Sequence, residues 1–146
     1  MKHNIVTRMG IGINPPMEWE GIVEDAFMQV APRGMTRVVG AMCGACSVEG
    51  AFKYSFISHA QKKRGGMGVP PSEEDLTSTM LNEAPGSPHH SILSFKGGFH
   101  GRLLGALSAT RTNPTHKLDF AAMDWPAAEP PRYKYPLSDN VEYNRA

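Results

Sequence analysis

Three side chains within four positions, those of Phe99, His100 and Arg102, could together bind a flat anionic ligand. The ring of Phe99 offers a flat face for stacking, and the guanidinium of Arg102 is a planar fork that fits a carboxylate or a phosphate. Three glycines in the same stretch allow the backbone to approach a ligand closely. The structural alternative is a glycine-rich turn with a packed phenylalanine and a solvated arginine.

Cys43 and Cys46 form a second candidate site, because two residues separate them. A redox pair at the start of a helix is one interpretation. A structural zinc ion requires four ligands, and the sequence contains no second pair with this spacing. Two chains would together supply four thiolates, which suit an iron–sulfur cluster or a shared zinc ion. Two small residues in a tight turn are the structural alternative.

The backbone of Gly44 and Ala45 is a third candidate, for binding a phosphate group. Ser47 is a plausible N-cap of the following helix, so free N–H groups would lie close to a helix N-terminus. The sequence contains neither of the glycine-rich motifs typical of dinucleotide or nucleoside triphosphate binding. A generic turn between a strand and a helix remains the alternative.

Two units of strand, loop and helix position these candidate residues. Residues 36–42 and residues 92–95 are rich in apolar or β-branched side chains and are predicted to be short buried strands. The helix after the first loop is predicted to stop at Gly65, and the helix after the second covers residues 103–109. In an open α/β sheet such loops lie at the carboxyl ends of the strands, where ligands bind.

Two further helices complete the predicted α/β order of elements. Apolar residues recur with helical spacing from Trp19 to Val30, and Pro32 stops that pattern. Ser72 and Asp75 predict a capped helix that continues through Leu81. The order of elements favours parallel strands with helices on the faces of the sheet. Residues 1–16 are expected to be extended.

Length and composition bound the remaining possibilities. A chain of 146 residues can form one ordinary domain. The net charge of +1 gives no electrostatic argument for a nucleic-acid partner, and no apolar stretch is long enough to predict a membrane span. Two cysteines cannot build a disulfide framework. Prolines are frequent after position 110, so residues 111–136 are predicted to be a proline-rich coil.

Several motifs in order resemble the class III pyridoxal-phosphate-dependent aminotransferases, and among them the animal-type 4-aminobutyrate aminotransferases. The resemblance runs from about Arg8 to Leu137. It is strongest in the sequence Ser-Ile-Leu-Ser-Phe-Lys-Gly-Gly-Phe-His-Gly-Arg that begins at residue 91. The other matching segments are residues 30–35, 43–47, 82–86, 116–119, 124–126 and 131–136.

The resemblance implies an α/β fold that is part of the large domain of a fold type I enzyme, with a mostly parallel sheet and flanking helices. The phosphate of pyridoxal 5′-phosphate (PLP) would be held by the backbone of Gly44 and Ala45, and Phe99 would stack on the pyridine ring. Arg102 would pair with the substrate carboxylate. Cys43 and Cys46 match cysteines that hold a [2Fe–2S] cluster shared between two subunits of a homodimer.

The same resemblance implies a reaction that moves the amino group of 4-aminobutyrate to 2-oxoglutarate, in the mitochondrial matrix. No transit peptide is recognisable in this chain, and no catalytic residue is assigned because the family's Schiff-base lysine has no counterpart. We therefore expect residues 1–146 to be an incomplete PLP-binding domain, an internal fragment that cannot transaminate alone. A truncated, non-catalytic product that dimerises or binds an iron–sulfur cluster is the alternative.

The sequence departs from the family pattern at three positions. Ala45 stands where the family usually has a serine or threonine, so a hydroxyl contact to the phosphate is lost while the backbone N–H remains. Val48 and Gly50 stand where the family often has asparagine, and a glycine inside a helix costs roughly 1 kcal/mol relative to alanine. These departures concern phosphate affinity.

Overall fold

The computed structural model describes residues 17–145 of the chain. The extended structure expected for residues 1–16 therefore lies outside the described residues. The regular elements are four helices and two short strands: α1 (Trp19–Ala26), α2 (Gly44–Lys63), α3 (Glu73–Thr79), β1 (Ser94–Phe95), α4 (Leu104–Ala109) and β2 (Ala127–Ala128). Short 3-10 helices cover Met28–Val30, Pro114–His116, Ser138–Asn140 and Tyr143–Arg145.

The two strands pair in parallel, as the predicted fold class requires. Ser94 lies opposite Ala127 in β1 and β2, and the backbone N–H of Lys96 donates to the carbonyl of Ala128 over 2.9 Å. Only two residues of the predicted strand 92–95 take part. Strand β2 lies inside residues 111–136, where only coil was predicted. Its two alanines pair through their backbone and give no apolar pattern from which a strand could be predicted.

The prediction of a strand over residues 36–42 is wrong. These residues have irregular backbone, and Val38 and Val39 are exposed. A strand exists only when a second strand takes its hydrogen bonds. Within residues 17–145 no segment pairs with this one, so β propensity alone does not make it a strand.

Helix α2 begins four residues earlier than the predicted apolar face. Its N-cap is Cys43, not Ser47, because Cys43 is extended and its carbonyl accepts the first helical hydrogen bond, from the N–H of Ser47. The small residues that follow Cys43 fit helical backbone without steric cost. The predicted end is confirmed: the last helical residue is Lys63, and Gly65 has a φ of +110°.

The predicted start of α3 is confirmed by a complete capping box. The hydroxyl of Ser72 accepts the N–H of Asp75, and the carboxylate of Asp75 accepts the N–H of Ser72. The helix ends at Thr79, earlier than the predicted end at Leu81. Leu81 is exposed, so no packing extends the helix to it.

The densest packing in the described residues surrounds α4. Five of its six residues, from Gly105 to Ala109, are buried. Trp125 is also buried, and its ring meets those of Phe52 and Phe56 of α2 edge-on, at centroid distances of 5.5 and 5.9 Å. Helices α2 and α4 and the chain around Trp125 therefore form one packed unit. No helix among residues 17–145 is long and apolar enough to span a membrane.

Candidate active site

The first turn of α2 presents Gly44 and Ala45, the two residues predicted to bind a phosphate. Both lie inside the helix, directly after the N-cap residue Cys43. The N–H groups at the start of a helix have no intrahelical acceptor, and the helix dipole makes that end positive. Gly44 is exposed and Ala45 is partly exposed. The backbone therefore offers hydrogen-bond donors to an anion, although no serine or threonine hydroxyl stands at Ala45.

The two cysteine sulfurs lie close together at the same helix end. The Sγ atoms of Cys43 and Cys46 are 3.6 Å apart, and both thiols are free. Hydrogen bonds from the backbone N–H and then the side chain of Cys46 lower the pKa of the Cys43 thiol. The Cys43 side chain raises the pKa of Cys46, and burial adds to that rise. Cys43 is therefore the sulfur that ionises first.

The loop that carries Phe99 and Arg102 lies directly against this turn of α2. Gly101 has a φ of +122°, and a Cβ atom built on it would lie 2.7 Å from the Cβ of Ala45. Glycine is therefore required at position 101 for two reasons, the backbone angle and the absence of space. Thr110 fixes the same loop from the other side, because its hydroxyl accepts the N–H of His100 and lies 2.9 Å from the carbonyl of Gly101.

The side chains of Phe99 and Arg102 are both accessible. The Phe99 ring is 51% exposed, and the imidazole of His116 meets it edge-on at a centroid distance of 5.4 Å. The guanidinium of Arg102 is exposed and has no ion pair within residues 17–145. The loop thus presents a flat apolar ring and a cation without an ion pair among the described residues, and its Gly101 lies against the first turn of α2.

Glu49 contributes to this site, and sequence reasoning did not assign it that role. Its Oε1 accepts the N–H of Ala106 over 2.8 Å, so a carboxylate on α2 caps the N-terminal turn of α4. A Cβ atom on Gly105 would lie 2.8 Å from Oε2, so a side chain there would displace the end of the flexible Glu49 side chain. The two residues of this hydrogen bond are 57 positions apart, and no local pattern in the sequence links them.

His116 is the second residue that the sequence did not single out as part of the site. It ends the 3-10 helix Pro114–His116, which Asn113 caps by accepting the N–H of Thr115. The cap and proline were recognisable as a turn, but only the folded chain brings the imidazole against Phe99. The edge contact restricts the orientation of the Phe99 ring.

Comparison with known proteins shows the family of the chain. The family model for class III aminotransferases matches residues 1–146, and the chain belongs to that family. This confirms the resemblance found in the sequence. Membership implies PLP as cofactor and a fold of type I, and the parallel pairing of β1 with β2 is consistent with that fold.

The chain is similar to several curated proteins named 4-aminobutyrate aminotransferase. It is 50% identical over 141 residues to the protein of Dictyostelium discoideum, and the alignment covers 97% of this chain and 28% of that protein. It is 44% identical over 144 residues to that of Emericella nidulans, covering 99% and 29%. It is 43% identical over 140 residues to the human protein, named as mitochondrial, covering 96% and 28%. The chain thus spans less than a third of each of these relatives.

The residues present fit the phosphate and ring of PLP. The accessible N–H groups at the start of α2 suit a phosphate, and the half-exposed ring of Phe99 suits a pyridine face. Within residues 17–145 no group of three or more histidine, cysteine or acidic residues could hold a metal ion. The two cysteines of one chain can therefore supply only part of a metal or cluster site.

Proposed function

We propose that this chain is part of the PLP-binding domain of a 4-aminobutyrate:2-oxoglutarate aminotransferase. The observation that carries the proposal is the contact between Gly101 and Ala45, because it joins the loop of Phe99 and Arg102 to the first turn of α2. Identities of 43–50% to proteins named 4-aminobutyrate aminotransferase support the choice of substrate.

Each residue has a separate role in this proposal. The N–H groups of Gly44 and Ala45 hold the phosphate, and the helix dipole of α2 favours the negative charge there. Phe99 stacks on the pyridine ring and keeps water from one of its faces. Arg102 pairs with the carboxylate of 4-aminobutyrate through two parallel hydrogen bonds, which orients the amino end of the substrate.

The bound cofactor supplies the electron sink that amino transfer requires. Residues 17–145 contribute to that chemistry by binding and orientation. His116 limits the orientation of the Phe99 ring, and Glu49 holds the neighbouring helix α4 against α2. We assign no proton transfer to a side chain of this segment, and no catalytic residue in it.

For Cys43 and Cys46 we propose ligation of a [2Fe–2S] cluster shared between two copies of the chain in a homodimer. Two sulfurs bound tetrahedrally to one metal at about 2.3 Å lie about 3.8 Å apart. The observed separation of 3.6 Å fits that geometry. Four cluster ligands require two such pairs, so the proposal implies a dimer with both α2 N-termini at its interface. We also propose that the protein is mitochondrial, because the name of the human relative includes that location.

A chimeric enzyme tests the proposed activity. Residues of this chain replace the aligned segment of the Dictyostelium relative, to which it is 50% identical. We expect the PLP-loaded chimera to form glutamate from 4-aminobutyrate and 2-oxoglutarate. Arg102→Gln should raise the KM for 4-aminobutyrate about tenfold to a hundredfold, the value of a lost charge-assisted hydrogen bond. Arg132→Gln, at another exposed arginine, is the matched control.

The outcomes separate the parts of the proposal. An unchanged KM in Arg102→Gln would remove the arginine from the substrate site. A chimera that binds PLP but prefers ornithine to 4-aminobutyrate would contradict the substrate. A folded chimera without any amino transfer would contradict the activity itself. For the cluster, visible absorption bands that disappear in Cys43→Ser are the expected result, and their absence from the wild-type chimera would contradict ligation.

A further inference from the structure

A cleft outside the candidate active site is lined by three cations. Its volume is about 350 Å³, and Lys96, Arg111 and Lys117 are among its lining residues. Lys96 directly follows β1, Arg111 closely follows α4, and Lys117 directly follows the 3-10 helix Pro114–His116. Three positive side chains from separate parts of the sequence therefore meet at one cavity.

Backbone hydrogen bonds fix the positions of these residues. The N–H of Arg111 donates to the carbonyl of Gly98 over 2.8 Å, and its carbonyl accepts the N–H of Gly97 over 3.2 Å. The N–H of Lys96 donates to Ala128 in the parallel pair. The Nζ of Lys117 donates to the carbonyls of Leu107 and Thr110 at the end of α4, over 3.1 and 2.9 Å. The cleft is therefore preorganised on regular structure.

These contacts leave hydrogen-bond donors unused. The ammonium of Lys117 has three N–H bonds, of which two are used. The guanidinium of Arg111 has five, and its Nη2 donates to the carbonyl of Trp125 over 2.6 Å. Its Nε is buried and has no partner in the described chain. That atom has no solvent contact, so the donors available to an anion in the cleft are the remaining N–H groups of Lys117 and of the Arg111 Nη atoms.

The charge of the cleft is also unbalanced. Glu129 pairs with Lys96 and is the only carboxylate in an ion pair with the three cations among the described residues. Three positive charges and one negative charge leave a net charge of +2. Burial, and then the positive charge of the nearby Arg111, lower the pKa of Lys117.

A purely structural role explains part of this arrangement. Lys117 caps the C-terminus of α4, where a cation is favourable, and Arg111 holds the chain at Trp125. That role uses one N–H of Arg111 and two of Lys117. It does not account for the remaining donors, or for a cavity between the cations.

We propose that this cleft binds a small dianion with the oxygen chemistry of a phosphate or a short dicarboxylate. The cations supply two net charges, and the fork of Arg111 suits two oxygens of one ligand. The cleft is distinct from the proposed PLP site, whose phosphate-binding groups are backbone N–H groups of α2. The proposal is independent of the transaminase activity.

Binding of inorganic phosphate to the purified chain is the test, measured by equilibrium dialysis at an ionic strength held constant with sodium chloride. Glutarate in place of phosphate distinguishes a dicarboxylate from a phosphate ligand. The side chains of Lys96 and Glu129 are 60% and 74% exposed, so changing either of them should not disturb folding. Glu129→Gln should tighten binding about threefold, and Lys96→Gln should weaken it by a similar factor, since each changes one nearby charge.

Lys62→Gln, in the basic run at the end of α2, is the matched control for Lys96→Gln. It also removes one positive charge, but Lys62 does not line the cleft. Its dissociation constant should equal that of the wild-type chain. Phosphate that binds at the N-terminus of α2 would not respond to Glu129→Gln. Absence of saturable binding of both anions, or equal effects of Lys96→Gln and Lys62→Gln, would overturn the proposal.

Discussion

Helices α1 and α4 differ in how many of their residues are buried, and the amphipathic pattern of α1 does not predict that difference. Helix α1 has eight residues with an amphipathic pattern, yet none of them is buried. Helix α4 has six residues, and five are buried. Among residues 17–145, α1 packs extensively only with the adjacent 3-10 helix Met28–Val30, whereas α4 packs against α2. An apolar pattern creates a face, but burial requires another element to meet it.

Small residues and one carboxylate explain why α4 finds such a partner. Gly105 and Ala106 bring the first turn of α4 close to α2, and Glu49 then reaches the N–H of Ala106. Trp125 covers the other side of the unit by packing on Phe52 and Phe56. No comparable contact is present between α1 and another helix of residues 17–145.

The two tryptophans provide the largest test of this comparison. Trp125→Ala should lower the free energy of unfolding by about 3–5 kcal/mol, because it removes a buried ring that contacts two phenylalanines. Trp19→Ala in α1 should cost less than about 1 kcal/mol, because Trp19 lies in a helix without buried residues. Urea denaturation followed by circular dichroism measures both. Equal losses would mean that α1 is packed as tightly as the α4 unit.

Two glycines with nearly the same backbone angle provide the second test. Gly101→Ala should destabilise the chain by about 2–4 kcal/mol, since the new methyl group strains the backbone and meets Ala45. Gly66 has a φ of +121° but open space around it, so Gly66→Ala should cost only the backbone term of about 1–2 kcal/mol. The difference between the two variants isolates the contact between α2 and the loop of Phe99. Identical values would contradict that contact.

The pH dependence of stability is the third and smallest test, and it concerns His90, whose imidazole contacts the rings of Phe56 and His59 on α2. Burial, followed by the charges of His59 and Lys63, lowers the pKa of His90. The folded chain therefore favours the neutral imidazole. Stability should be complete above the unfolded pKa of about 6.5 and should fall as the pH decreases from there towards the lower folded pKa.

His90→Gln should make that loss of stability smaller between about pH 7.5 and about pH 5. His89→Gln, at the exposed neighbouring imidazole, is the control and should behave like the wild-type chain. Hydrogen exchange resolved by segment sharpens the comparison, because residues 17–42 contain no histidine. A pH response of α1 equal to that of α2 would show that His90 is not its cause.

Features of the fold that depend only on neighbouring residues were predictable from the sequence. The capping box of Ser72 and Asp75, the end of α2 before Gly65 and the helix after Arg102 all follow from neighbouring residues. The strand predicted over residues 36–42 failed because its partner is not among its neighbours. The N-cap at Ser47 was misplaced because the small residues before it join the helix.

The sequence by itself determined the family, the candidate residues and the helices that follow the two loops of the site. Residue types and short spacings carry that information, as in Cys43 and Cys46 or in Phe99 and Arg102. Only the tertiary structure placed Gly101 on Ala45, Glu49 on the N-terminus of α4, His116 on Phe99 and three cations around one cleft. Such contacts join residues that are distant in the chain, and they depend on distances of a few ångströms that no local pattern specifies.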